Sequence, residues 1–125
     1  MKKNAMLSIL GLALFACGPY QKKDLIGKWE AVAVLEEGKP LPVNVQEITF
    51  TFYRNNGYNF TSTLRYIESG TFSIKGKLLY TLDTLDSNSR TKAVEIRTAS
   101  RDSLFFVMQD GGKKRLVKLH RVKSR

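Results

Sequence analysis

The sequence predicts an all-β protein: an eight-stranded antiparallel up-and-down barrel behind a short apolar leader. Three observations predict it. From residue 25 onward, apolar and polar residues alternate in short runs, the period of half-buried strands. Turn signals such as Asn56-Gly57 and Asp110-Gly111-Gly112 separate the runs at roughly even spacing. No stretch in that region holds a helical period long enough to interrupt them. An even, short-looped meander has two edges to protect, and closure into a barrel removes them. A two-sheet sandwich is the alternative architecture for the same pattern.

Residues 1–16 read as a signal peptide. Lys2 and Lys3 form a positive start, and the apolar run from Ala5 to Ala16 is too short to span a bilayer as a helix. Leu14-Phe15-Ala16-Cys17 resembles a bacterial lipobox. That resemblance implies cleavage after Ala16, a diacylglycerol on the Cys17 thiol and an acylated new amine. Several acyl chains make a stable anchor where one would be marginal. Residues 17–24 are then a lipidated tether, and residues 25–122 the barrel domain. Gly18 follows the cysteine where an inner-membrane retention signal resembles Cys-Asp. The expected location is therefore the cell envelope, lipid-anchored at the outer membrane.

Trp29, Ala31, Ala33 and Leu35 alternate onto one face of the first strand, just after Gly27. Residues 36–45 hold Gly38, Pro40 and Pro42 and read as a loop. Ile48, Phe50 and Phe52 point inward from the second strand. Tyr58, Phe60, Ser62, Leu64 and Tyr66 share a face of the third. A three-residue loop at Asn55-Asn56-Gly57, with Gly57 left-handed, pairs Phe52 with Phe60 and keeps both apolar sets together. Phe72 and Ile74 point inward next, then Leu78, Tyr80 and Leu82 after a turn at Lys75-Gly76-Lys77. Val94 and Ile96 follow a polar loop, and Leu104, Phe106 and Met108 follow them. A tight turn at Asp110-Gly111-Gly112 brings Val117, Leu119 and Arg121 onto the same face.

With Gly27-Lys28-Trp29 at its start and Arg121 at its end, the chain resembles the lipocalin superfamily, most of all the small lipocalin-like domains of bacterial lipoproteins. The likeness covers residues 25–122. Its other pieces are Ile48-Thr49-Phe50 with Asn56-Gly57, and Gly70-Thr71-Phe72-Ser73-Ile74. The resemblance implies a structural lock of Gly27, Trp29 and Arg121, in which Trp29 plugs the closed end and Arg121 lies across its indole. If the interior takes a small hydrophobic ligand, the inward strand set would line it: Phe50, Phe52, Phe60, Leu64, Tyr66, Phe72, Tyr80, Leu82 and Phe106.

Other chemistries find little support. One cysteine excludes an internal disulfide and any Cys-x-x-Cys motif. His120 is the only histidine and falls on the outward parity, so no His-based triad or multi-histidine metal site can form. Asp83, Asp86 and Asn88 offer oxygens to calcium but match no known loop spacing and read as a hairpin loop. Glu36, Glu37 and Glu47 have nothing to place them in a pocket. No nucleophile–base pair is arguable, so the expectation is a non-enzyme without metal or cofactor. The balance of 21 Lys+Arg against 11 Asp+Glu, formally +10, attracts anionic surfaces. Those charges are spread along the chain, as on outward strand faces that resist edge pairing. Aromatics among basic residues, such as Tyr53, Arg54 and Tyr58, suit single-stranded nucleic acid, but export argues against that partner. Two readings remain: a lipid-anchored carrier of a small hydrophobic ligand, and an accessory lipoprotein with a filled barrel that meets an envelope protein through its outer surface or loops.

Overall fold

A computed structural model describes residues 20–123. The expected signal peptide (residues 1–16) and the expected lipidation site Cys17 lie outside the described residues. Nine strands form one antiparallel sheet: β1 (Gly27–Glu36), β2 (Lys39–Pro40), β3 (Thr49–Phe52), β4 (Gly57–Thr61), β5 (Ile67–Lys75), β6 (Leu78–Asp83), β7 (Lys92–Ala99), β8 (Ser103–Asp110) and β9 (Lys113–Arg121). β1 pairs with β3 along its first half and with β9 along nearly all its length, which closes the sheet. β2 is a two-residue flap on the end of β1, so the barrel proper has eight strands, each paired with its sequence neighbour in the barrel.

Burial follows the period of two. Ile48, Phe50 and Phe52 are buried, as are Val94 and Ile96, Leu104 and Phe106, and Val117 and Leu119. Leu104 pairs with Leu119 and Phe106 with Val117. Gly111 and Gly112 both have positive φ, +59° and +81°, which is what a two-residue type I′ hairpin turn requires.

Several local expectations are corrected. In β1 the alternation slips at a bulge between Ala31 and Ala33. Val32 is left unpaired against β9, and Val34 is buried in place of the expected Ala33 and Leu35. The expected loop at residues 36–45 begins as a hairpin, with Glu37 (φ +51°) and Gly38 (φ +83°) as its turn. Phe52 pairs with Tyr58, and Phe50 with Phe60. The three-residue loop is real but sits one residue earlier, at Arg54-Asn55-Asn56. Asn56 takes the left-handed conformation (φ +73°), and Asn55 Oδ1 accepts the Gly57 N–H at 3.0 Å. The expected third strand stops at Thr61. A 3-10 turn at Thr63–Arg65 reverses the chain, held by the Ser62 N–H donating to the Tyr66 carbonyl. Leu64 is therefore 94% exposed and not interior.

The second hairpin flips a whole face. Lys75 pairs with Leu78, so only Gly76 and Lys77 turn the chain, with Gly76 at φ +64° as a type II′ turn demands. Ile74 then faces Leu79. Leu79, Thr81 and Asp83 are buried, while Leu78, Tyr80 and Leu82 turn outward. A one-residue error in turn length moves every side chain of a strand to the other face.

Candidate functional site

The barrel has a filled end and a hollow end. At the filled end Trp29 is fully buried, and its indole N–H donates to the Leu25 carbonyl at 2.9 Å. The Arg121 guanidinium carbon lies 4.2 Å from the ring centroid. Arg121 also donates to the carbonyls of Ile26 (2.6 Å) and Arg101 (2.7 Å). Gly27 makes room for it: a Cβ there would stand 2.5 Å from Arg121 Nη1. Arg121 thus packs against both of the other residues that the resemblance grouped as a lock, Trp29 and Gly27. Above them Phe52 meets Phe72 edge-on at 4.9 Å, with Leu104 and Leu119 buried alongside.

The hollow end is a cavity of about 770 Å³. It opens between the β4–β5 turn, the start of β7 and the β8–β9 hairpin, where Ser62, Tyr66, Lys92, Gln109 and Lys114 stand on its border. Phe50, Phe60 and Phe106 line it, with Phe50 stacked on Phe60 at 4.5 Å and edge-on to Phe106 at 5.3 Å. Leu78, Leu79, Ala93, Val94, Val107 and Met108 add aliphatic lining.

Of the nine residues expected to line a ligand cavity, Phe50, Phe60, Tyr66 and Phe106 do so. Phe52 and Phe72 lie deeper, inside the filled end. Leu64 sits on the outer turn, and Tyr80 and Leu82 face outward, so these three are not cavity residues.

The sequence reading missed the polar centre of the cavity. Glu68, on β5, is 5% exposed and lines the wall. Tyr58 donates to its Oε1 at 2.8 Å, Tyr66 to Oε2 at 2.5 Å, and the Lys92 ammonium meets Oε2 at 2.6 Å. Burial alone would raise the Glu68 pKa. Hydrogen bonds from Lys92, Tyr66 and Tyr58 outweigh it and hold the carboxyl below its ordinary range. The carboxylate in turn pushes the Tyr66 phenol up to about 12, with burial adding to the effect. Burial first, and then Glu68, push Tyr58 higher still. This cluster is a fixed dipolar patch beside the aromatic and aliphatic part of the wall. It joins an ion pair to two phenol donors.

The remaining candidate carboxylates make local contacts. Glu36 pairs with Arg115 at 2.8 Å, which holds its carboxyl below the ordinary range against a smaller opposing effect of desolvation. Glu37 accepts the Lys114 N–H at 2.9 Å. Asp83 Oδ1 accepts the Leu85 N–H, and Asp86 Oδ1 the Asn88 N–H, as hairpin-loop residues do. No group of three or more metal-ligating side chains occurs among the described residues. His120 is exposed on the outer face, 3.7 Å from Glu30.

No protein-family model matches the chain, and no curated protein sequence matches it. Solved structures do. A lipocalin-like protein from Bacteroides uniformis superposes with a TM-score of 0.60 at 16% identity, covering 79% of this chain and 99% of its own. An uncharacterized protein from Bacteroides eggerthii superposes with a TM-score of 0.56 at 11% identity, covering 78% of this chain and 99% of its own. At such identities the likeness establishes the fold, a lipocalin-like barrel.

Proposed function

We propose that the protein is a lipid-anchored envelope carrier that holds one small, largely apolar ligand with a polar end in the hollow half of its barrel. The observation that carries this reading is the cavity itself. An eight-stranded barrel sits at the size where side chains either fill the interior or leave room for one small ligand. Here the filled end rests on Trp29, Phe52 and Phe72, and the other end holds about 770 Å³ of space lined by aromatic, aliphatic and polar side chains. Apolar walls with a few placed polar groups are the usual make-up of a small-molecule site. Glu68, Tyr58, Tyr66 and Lys92 would orient the polar end, and the rings would take the rest.

Binding is tested with a small apolar fluorophore. The parent should show saturable binding at one site per chain. Met108→Trp, a half-buried position on the cavity lining, should fill the space and abolish binding while the melting temperature stays near the parent value. An equivalent outward change, Tyr80→Trp, should leave binding intact. If the parent does not bind, the second reading gains. In it the protein meets a partner through the mouth-side turn, where Leu64 (φ +60°) and Arg65 (φ +61°) hold strained backbone and present an exposed leucine.

The anchor is tested separately. Changing Cys17→Ala should abolish acyl labelling and leave uncut precursor. Unchanged labelling and processing would refute lipidation at Cys17.

A further inference from the structure

We propose that the filled end of the barrel is a docking surface for anionic phospholipid headgroups, so that the cup opens away from the membrane. An up-and-down barrel sends alternate connections to opposite ends. The filled end collects the segment that enters β1, the β3–β4 loop, the β5–β6 turn, the β7–β8 turn and the residues after β9. Contacts tie these together. Lys22 Nζ donates to the Arg54 carbonyl, the Tyr20 N–H donates to the Gly76 carbonyl, and Arg121 reaches the carbonyls of Asp24 and Arg101.

The charges segregate with the ends. Lys22, Lys23, Arg54, Lys75, Lys77 and Arg101 all sit on the filled-end connections, against the two carboxylates of Asp24 and Asp102. None of the six forms an ion pair among the described residues. All but Lys22 are exposed. At the mouth end Glu36, Glu37, Glu47, Asp83 and Asp86 stand among the cations, and Glu36 and Glu68 neutralise Arg115 and Lys92 directly. A one-sided basic face whose cations make no ion pair among the described residues is an electrostatic footprint for an anionic surface.

The chain's own layout names which surface. Tyr20 leaves the filled end, three residues after Cys17. Three residues span at most about 11 Å when fully extended. An anchored Cys17 therefore holds the basic face within roughly a Debye length of the headgroups. The orientation rests on the lipid-anchor reading, but the affinity of the face for anionic lipid does not.

The test uses the chain beginning at Tyr20. It keeps every strand, the whole core and every bond that closes the sheet, and it lacks Cys17, so its binding cannot depend on lipidation. It should co-sediment with mixed phosphatidylglycerol–phosphatidylethanolamine vesicles at low salt, release as salt rises, and ignore pure phosphatidylcholine. The charge reversals Lys23→Glu, Arg54→Glu and Lys77→Glu together should weaken binding on the order of a hundredfold. The same change in charge at the mouth end, Lys39→Glu, Arg65→Glu and Arg90→Glu, should weaken it by about threefold at most. A second measurement does not require reversed charges to fold. A dye on Lys23→Cys should be quenched by a quencher-bearing anionic lipid, and a dye on Leu64→Cys should not. Absence of binding, equal losses from the two triples, or stronger quenching at Leu64 would each overturn the docking surface. Failure of acyl labelling at Cys17 with docking intact would overturn only the anchor.

Discussion

Gly27 lacks a side chain because Arg121 occupies the space one would need. Its φ of +127° is closed to ordinary L residues, and an added Cβ would stand 2.5 Å from the guanidinium. Arg121 uses that room to cover the indole face and bond two carbonyls of the segment entering β1, besides one in the β7–β8 turn. A guanidinium over an indole adds ~0.5–2 kcal/mol, and buried Trp→Ala changes typically cost ~3–5 kcal/mol. Trp29→Ala should therefore be the more damaging change and Arg121→Ala the milder one. In a denaturant-melt cycle the two losses should fall short of additivity, because each removes the same stack. Gly27→Ala should destabilise the parent clearly and the Arg121→Ala background less, since only backbone strain remains there. Full additivity in both cycles would mean that the three residues act independently.

At the scale of elements, what the sequence reveals depends on whether a turn fixes the register. The β8–β9 hairpin is legible because Gly111-Gly112 admits only a tight turn, and Leu104, Phe106, Val117 and Leu119 then fall into place. The β3–β4 loop has the right length but slides by one residue, because Asn56 competes with Gly57 for the left-handed position. The face of β6 is misread because Lys75 can end a strand or belong to a turn, and its hydrophobicity does not choose. Leu78, Leu79, Tyr80 and Leu82 are all apolar enough for either side. The reversal at Thr63–Arg65 has no glycine, proline or Asn-Gly to mark it. It uses left-handed leucine and arginine instead, so residues 58–66 read as one strand. That hides Ile67–Ser69 between two assigned strands and with them Glu68, the polar centre of the cavity. Parity counted back from Phe72 through Gly70 would have placed Glu68 inside. An inward glutamate becomes intelligible only when Tyr58 and Lys92 arrive from other strands to bind it.

The barrel divides along its axis into a packed half, which carries stability and cations that make no ion pair among the described residues, and a hollow half, held open by polar bonds across its wall. Glu68 links β4, β5, the β4–β5 turn and β7 through one carboxylate. The stability of the entire barrel should therefore follow the titration of this cluster. Glu68 is held below its ordinary value of 4.5 in the fold, so on acidification the unfolded chain takes up its proton first. Its contribution is complete above that value and is lost as pH falls through the lower, folded pKa. Tyr66 has the opposite sense: its ordinary value of 10.0 rises to about 12 in the fold. Its contribution is complete below pH 10 and is lost as pH climbs toward 12, where the unfolded chain gives up its proton first. Glu68→Gln removes the charge that drives both shifts. Denaturant melts should show the parent exceeding this variant by about 1.5–3 kcal/mol near neutrality, the usual range for hydrogen bonds to a charged group. The gap should narrow on the acid side below pH 4.5 and on the alkaline side above pH 10. Lys92→Met, which leaves the tyrosines in place, should raise the Glu68 pKa and move the acid limb to higher pH without moving the alkaline one as far. A gap between parent and Glu68→Gln that stays constant from acid to alkali would mean that the carboxylate only fills space. The cavity wall would then owe its shape to packing alone.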